Sequence, residues 1–247
     1  MSKTLVVLLL AGVLVLGAGT SQAAPKLVMS DTTYDFGYVP QNAHISHVFW
    51  LKSAGTDTLK IIKVTPGCGC TQTPIDKEAL ASKDSTRLEI IFNTGTYVGL
   101  VEKQPRVLAN DTTAERIIHF QANVVTRPDS TYPVVVDPYK LDISQFGEKQ
   151  RTAIGFSVRN AATQPLKLTM VSTTPEYFTV ELPKVVEPGK SVDGMVKLTP
   201  LALTKDFEKS FTFQVGDERQ SRFTVPVKRT MRQMQSSTTP ATPAQTH

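Results

Sequence analysis

Phe49-Trp50-Leu51-Lys52-Ser53-Ala54 and Phe156-Ser157-Val158-Arg159-Asn160-Ala161 stand 107 residues apart and match at alternate positions. Aromatic or aliphatic residues hold the first and third places, a cation the fourth and alanine the sixth. Apolar residues at every second position are the mark of a strand with one buried face. Two copies of that mark in register signal a duplicated β-unit. The register extends outward on both sides. Asp35-Phe36 faces Asp142-Ile143, Leu59-Lys60-Ile61 faces Leu166-Lys167-Leu168, and Val64 faces Val171. Further on, Leu88-Glu89-Ile90-Ile91-Phe92 answers Met195-Val196-Lys197-Leu198, with a polar turn after each, Asn110-Asp111 and Gly216-Asp217.

Each copy holds about seven short runs rich in Val, Ile, Thr and Phe, bounded by Gly, Pro, Asn and Asp. None has sustained helical periodicity, and only Asp76 to Ser82 offers a candidate helical turn. The chain therefore reads as all-β, with two tandem immunoglobulin-like sandwiches over residues 27–126 and 134–229. Residues 127–133, Arg127-Pro128-Asp129-Ser130-Thr131-Tyr132-Pro133, read as a polar linker. Residues 230–247 lack the apolar content to offset ordering entropy and are expected to be a disordered tail.

Residues 1–23 read as a cleaved signal peptide. Lys3 supplies the positive start, Leu5 to Leu16 the apolar run, and Ser21-Gln22-Ala23 a small-x-small cleavage site. No cysteine stands at that site to carry a lipid, so no stable membrane anchor is expected after cleavage. A periplasmic or secreted location follows. The whole chain has 27 Lys and Arg against 22 Asp and Glu, a net charge of +5 that falls to +4 without Lys3. The excess is spread along the chain with no basic stripe, which argues against a nucleic-acid partner.

Cys68-Gly69-Cys70 contains both cysteines of the chain. Three readings compete. Export permits a local disulfide, although a loop this short stabilises by only about 1.5 kcal/mol. Two thiolates also suit Cu(I) or Zn²⁺, but zinc needs about four ligands. The weak candidates are His44 and His47, only one of which can face the cysteines from a strand, with His119 and the methionines beyond them. The third reading is thiol–disulfide exchange. The repeat offers a control, because Pro175 and Tyr177 stand where Cys68 and Cys70 do, so the corner can be built without sulfur.

Trp50, the single tryptophan, aligns with Ser157 and is expected to face outward with Val48 as a partner surface, or to pack under the other domain. His47 aligns with Ile154 and reads as a core or rim histidine; His119 reads as facing solvent. No Gly-x-Ser-x-Gly elbow, His-Glu-x-x-His pair or phosphate loop occurs, so no catalytic residue and no enzyme activity is expected.

Tyr34-Asp35-Phe36-Gly37-x-Val39, Phe49 to Gly55, Leu59-x-Ile61, Cys68-Gly69-Cys70-Thr71 and Asn110-Asp111 together resemble an uncharacterised bacterial exported family, domain-of-unknown-function family 1573. The resemblance covers roughly residues 28–125. It implies immunoglobulin-like modules similar to the major-sperm-protein and Hydin kind, which usually bind or scaffold other proteins. Ser82-Lys83-Asp84-Ser85 departs from that family's Pro-Gly turn, which the second copy keeps as Pro188-Gly189. The expected role is an exported, non-enzymatic scaffold with a protein partner in the bacterial envelope. The alternatives are metal or thiol handling at Cys68 and Cys70, and an adhesin or matrix component tethered by its tail.

Overall fold

A computed structural model describes residues 23–147 and 149–232. The signal-peptide reading and the tail beyond residue 232 lie outside the described residues. Among the described residues there is no α-helix, and no helix long and apolar enough to cross a membrane.

The first domain is built from eleven strands: β1 (Leu27–Met29), β2 (Thr33–Pro40), β3 (His44–Ser53), β4 (Leu59–Thr65), β5 (Thr71–Gln72), β6 (Ala79–Leu80), β7 (Ser85–Asn93), β8 (Gly99–Lys103), β9 (Arg106–Ala109), β10 (Arg116–Ile117) and β11 (His119–Val125). The second adds β12 (Val134–Asp137), β13 (Leu141–Asp142), β14 (Gln145–Phe146), β15 (Ala153–Asn160), β16 (Leu166–Ser172), β17 (Phe178–Glu181), β18 (Val185–Val186), β19 (Ser191–Leu198), β20 (Phe207–Val215), β21 (Arg222–Arg229) and β22 (Met231–Arg232). The repeat holds strand for strand. β1, β3, β4, β5 and β7 correspond to β12, β15, β16, β17 and β19, in sheets ordered β1-β3-β7-β5 and β12-β15-β19-β17.

Alternation explains each sandwich. On β3, Ile45, Phe49 and Leu51 are at most 1% exposed and join Phe36, Leu88, Phe92 and Phe120 in the first core. Phe156, Val158, Phe178, Phe211 and Val225 build the second. Both follow from burying one pleat face and wetting the other.

The copies diverge at one strand. In the second domain β20 is continuous and pairs with both β16 and β21. Its counterpart breaks at Gln104-Pro105, so that β8 pairs with β11 while β9 crosses to β4. Proline has no N–H to continue a ladder. The second sheet of domain one is thereby split into β10-β9-β4-β6 and β8-β11-β2, with β2 at the edge of the latter. β21 takes that edge in parallel, Tyr38 opposite Phe223. One sheet then runs β18-β16-β20-β21-β2-β11-β8 through both domains.

Side chains seal the junction. Thr224 Oγ1 donates to Phe36 O (2.6 Å), and Tyr139 Oη to Tyr38 O (2.5 Å). Ser210 Oγ both accepts from Ser46 N (2.9 Å) and donates to Ser46 O (3.1 Å). Lys209 Nζ bridges both Glu89 oxygens (2.7 and 2.5 Å) with each side chain about an eighth exposed. Arg87 reaches Glu176 (2.6 Å).

Two expectations need correction. Asp76 to Ser82 forms no helical turn. Asp76 N donates to Arg87 O (3.1 Å), Lys77 N to Thr86 Oγ1 (2.9 Å), and Ala79–Leu80 become β6. The edge of β7 and the start of β4 offered the backbone better partners than a lone turn, whose nucleation is unfavourable. The disordered tail does not begin at residue 230 either. Met231–Arg232 pair with Gln145–Phe146 as β22 on β14, and Met231 N donates to Asp206 Oδ1 (2.8 Å). Ser82-Lys83-Asp84-Ser85 still turns, despite its departure from Pro-Gly. Lys83 takes the left-handed conformation (φ 70°) that Gly189 takes in the second copy (φ 69°).

Candidate functional site

The cysteine corner lies between β4 and β5. Gly67, at φ 84°, turns the chain where a side chain would be strained. Thr71 N then closes on Cys68 O (3.4 Å), and Asn93 N donates to Cys70 O (2.8 Å), tying the loop to the end of β7. Cys68 and Cys70 form a disulfide, with Cα atoms 5.2 Å apart. Cys70 packs against the first core, while Gly69 is exposed with nothing within 4 Å of where a Cβ would stand.

Among the described residues two side chains address the sulfurs, and a third backs one of them. Thr71 Oγ1 lies 3.3 Å from Cys68 Sγ and 3.9 Å from Cys70 Sγ. The Tyr97 hydroxyl donates to Cys70 Sγ (3.6 Å). Lys103 Nζ in turn donates to Tyr97 Oη (3.4 Å) and lies 4.8 Å above the ring. A groove of about 610 Å³ opens beside the loop, lined by Gly67, Glu102, Lys103, Arg106 and Glu115 among others. In the second copy Tyr177 fills the Cys70 position. It rests on Phe207 (5.0 Å between rings), with Lys209 5.3 Å above it. The lysine over a ring is shared by both copies; the sulfur and the hydroxyl aimed at it belong to the first.

The histidines do not gather at the cysteines. His44 Nδ1 meets the carboxylate of Glu208, which also takes Lys228 (2.9 Å). His47 stacks on Tyr34 (3.5 Å, 12° between planes), meets Phe49 edge-on, and places Nδ1 3.1 Å from Ser172 Oγ. Burial is the main force holding its pKa down at about 4, so the ring is neutral at neutral pH. His119 is exposed on β11. Among the described residues no three of His, Cys, Asp and Glu cluster as a metal set.

The structure separates Trp50 from Val48. Val48 lies half-buried opposite Glu89, where the second domain covers the face. Trp50 is 44% exposed, opposite Arg87, with Val28 (41% exposed) diagonal to it on β1.

Sequence reasoning missed Tyr97, Lys103 and the task of Asp111. Tyr97 and Lys103 lie 27 and 33 residues beyond Cys70, and only the strand switch at β8 brings them back. Asp111 accepts from Leu27 N (2.9 Å) and pairs with both guanidinium nitrogens of Arg116. The Arg116 bond, chiefly, holds its carboxyl below the usual range. The Asn110-Asp111 turn thus anchors β1 and, through Asn110 Oδ1 to Lys60 N (2.8 Å), the start of β4.

This architecture defines a tandem immunoglobulin-like protein, and comparison with known families names both halves. Residues 27–124 match the family model "protein of unknown function (DUF1573)", and residues 134–229 match the HYDIN/CFA65/VesB-like Ig-like domain. The first half is thus similar to the DUF1573 family and the second to the Hydin-like kind, the two kinds of module that the sequence resemblance implied. No curated protein matches the chain. Similar solved structures include a protein of unknown function from Porphyromonas gingivalis W83, at 15% identity over 82% of this chain and 98% of that one (TM-score 0.36). The PapD-like domain 7 of human CEP192 is 12% identical over 51% of this chain and 96% of that one (TM-score 0.33). Vibrio cholerae VesB protease is 11% identical over 40% and 32% respectively (TM-score 0.33).

Proposed function

We propose that the chain is an exported, non-enzymatic binding or scaffold protein of the bacterial envelope, presenting two domains to a protein partner as one rigid body. The observation that carries this reading is the sheet shared by β2 and β21. Together with the Ser46–Ser210 and Glu89–Lys209 contacts, it commits the polar groups between the domains to holding them together. The signal-like residues 1–23 support export, and a periplasmic or secreted place follows from it.

The partner surface is the uncovered half of the β1-β3-β7 face, where Trp50 and Val28 are ringed by Lys52 and Arg87. Exposed tryptophan beside arginine is the composition of interface hot spots. A photo-crosslinking amino acid at position 50, in the native compartment, should trap one discrete adduct, and Val28→Asp should abolish it. Turnover by the purified protein that is lost on changing Cys68 or Cys70 would overturn the non-enzymatic reading.

A second reading, metal or thiol chemistry at Cys68 and Cys70, is favoured by the Tyr97–Lys103 pair aimed at Cys70. That observation supports its thiol half. Its metal half would need both sulfurs reduced, and ligands other than His44 and His47, which are engaged by Glu208 and Ser172.

A further inference from the structure

We propose that Cys68–Cys70 is a thiol–disulfide exchange site for an external dithiol, with Cys68 the sulfur attacked and Cys70 the leaving thiolate, received by the Tyr97 hydroxyl. This rests on the thiol reading of the pair and is independent of the scaffold reading.

The polarity of the hydrogen-bond chain carries the assignment. A lysine ammonium can only donate. Lys103 therefore occupies a lone pair of Tyr97 Oη and leaves the phenolic proton for Cys70 Sγ. Among the described residues Lys103 has no carboxylate within ion-pair distance, so its charge is directed at this chain of contacts. A thiolate formed at Cys70 meets a donor already in place, backed by a cation, and hydrogen bonds to an ionised acceptor are the strong ones. Among the described residues Cys68 has only the Thr71 hydroxyl, which lies within 4 Å of both sulfurs. The better-stabilised sulfur leaves faster, so the two cysteines are not equivalent. Cys70 is backed by the core, and the space around Gly69, between the two cysteines, is open to an incoming thiol.

The second copy argues that this is more than corner-building. It keeps the lysine over a ring but fills the corner with Tyr177, and it spends Lys209 on Glu89. Sulfur, hydroxyl and unspent cation occur together only in the first copy.

The step balances as follows. A thiolate of the dithiol attacks Cys68 Sγ and forms a mixed disulfide. The Cys68–Cys70 bond breaks, and its electron pair goes to Cys70 Sγ as thiolate. The second thiolate of the dithiol then displaces Cys68 Sγ, which takes a proton from water. The dithiol leaves as a disulfide and the pair is left reduced by two electrons; the reverse sequence oxidises a substrate dithiol.

The test uses the full mature chain with dithiothreitol as the dithiol, followed by acid quench and intact mass. Without denaturant, wild type should be reduced completely, and Tyr97→Phe and Lys103→Gln should each slow reduction by about tenfold. In the reduced protein, iodoacetamide should alkylate Cys70 at lower pH than Cys68, and Tyr97→Phe should bring the two profiles together. In a separate incubation with oxidised glutathione, Cys70→Ser should leave Cys68 to accumulate as the mixed disulfide, with one reduced glutathione released. A disulfide that resists dithiothreitol until the protein unfolds overturns the exchange reading itself. Ready reduction with unchanged rates in both variants, or with identical alkylation profiles, overturns the roles given to Cys70 and Tyr97. Unchanged thermal unfolding of the variants separates these effects from misfolding.

Discussion

His47 sits where the two domains meet, with its ring against Tyr34 and one nitrogen at Ser172 Oγ. Burial lowers its pKa from 6.5 to about 4; Arg222 pushes the same way and Asp31 opposes. In the unfolded chain it titrates near 6.5, so between those values the unfolded state binds the extra proton. Stability therefore falls as pH drops from about 6.5 to about 4, by on the order of 3 kcal/mol from this group. Urea unfolding at pH 7 and pH 4.5 should show the loss, and His47→Gln should flatten the slope in that window; an unchanged slope would remove His47 from the account. The position was legible in the sequence, because the repeat aligned His47 with the apolar Ile154. Its partner was not, since Ser172 comes from the other copy, 125 residues away. The same holds at the cysteines. The pair was the most visible feature of the chain, yet Tyr97 looks like any loop tyrosine until β8 folds it back.

Among the elements, β2 shows most clearly why a short motif has the residues it has. Asp35 Oδ1 accepts Gly37 N (2.7 Å), and Gly37 adopts φ 64°. A Cβ there would collide with the backbone carbonyl of Arg222 on β21. Gly37 thus meets two demands, a left-handed backbone and the close approach of a neighbouring strand. Gly37→Ala is expected to cost at least about 3 kcal/mol. Gly99→Ala makes the control. Gly99 is also left-handed, at φ 77°, but nothing lies within 4 Å of its Cβ position, so only the backbone penalty of about 1–2 kcal/mol applies. Equal losses in denaturant unfolding would mean that the approach of β21 is unimportant. From the sequence, Asp-Phe-Gly was readable as a family mark and as strand. Its reason was unreadable, because the colliding atom lies 185 residues further along the chain.

For the molecule as a whole, the shared sheet and the buried Lys209–Glu89 pair predict cooperative unfolding. A calorimetric scan should show one transition for both domains, whereas two independent sandwiches would give two. Lys209→Ala, which strands a nearly buried carboxylate, should cost about 3 kcal/mol and separate the transitions. Two transitions in the wild-type scan would contradict the single body. The sandwiches were legible because alternation and turn residues act locally within each copy. Their union was not, because an interface face and a wet face share the same period of two. One signal was present nonetheless. Residues 41–51 contain no Asp, Glu, Lys or Arg, and a strand with a fully solvated outer face rarely goes that long without charge. The join between β2 and β21 also sets a timetable. Strand β2 leaves the ribosome well before the strand that covers its edge. About 185 residues part Tyr38 from Phe223, which at ordinary rates of synthesis is a wait of roughly 10–40 s. Throughout that wait the nascent first domain carries an open strand edge, the surface most prone to pairing with a stranger. The newborn chain, more than the finished protein, is the form that needs an attendant.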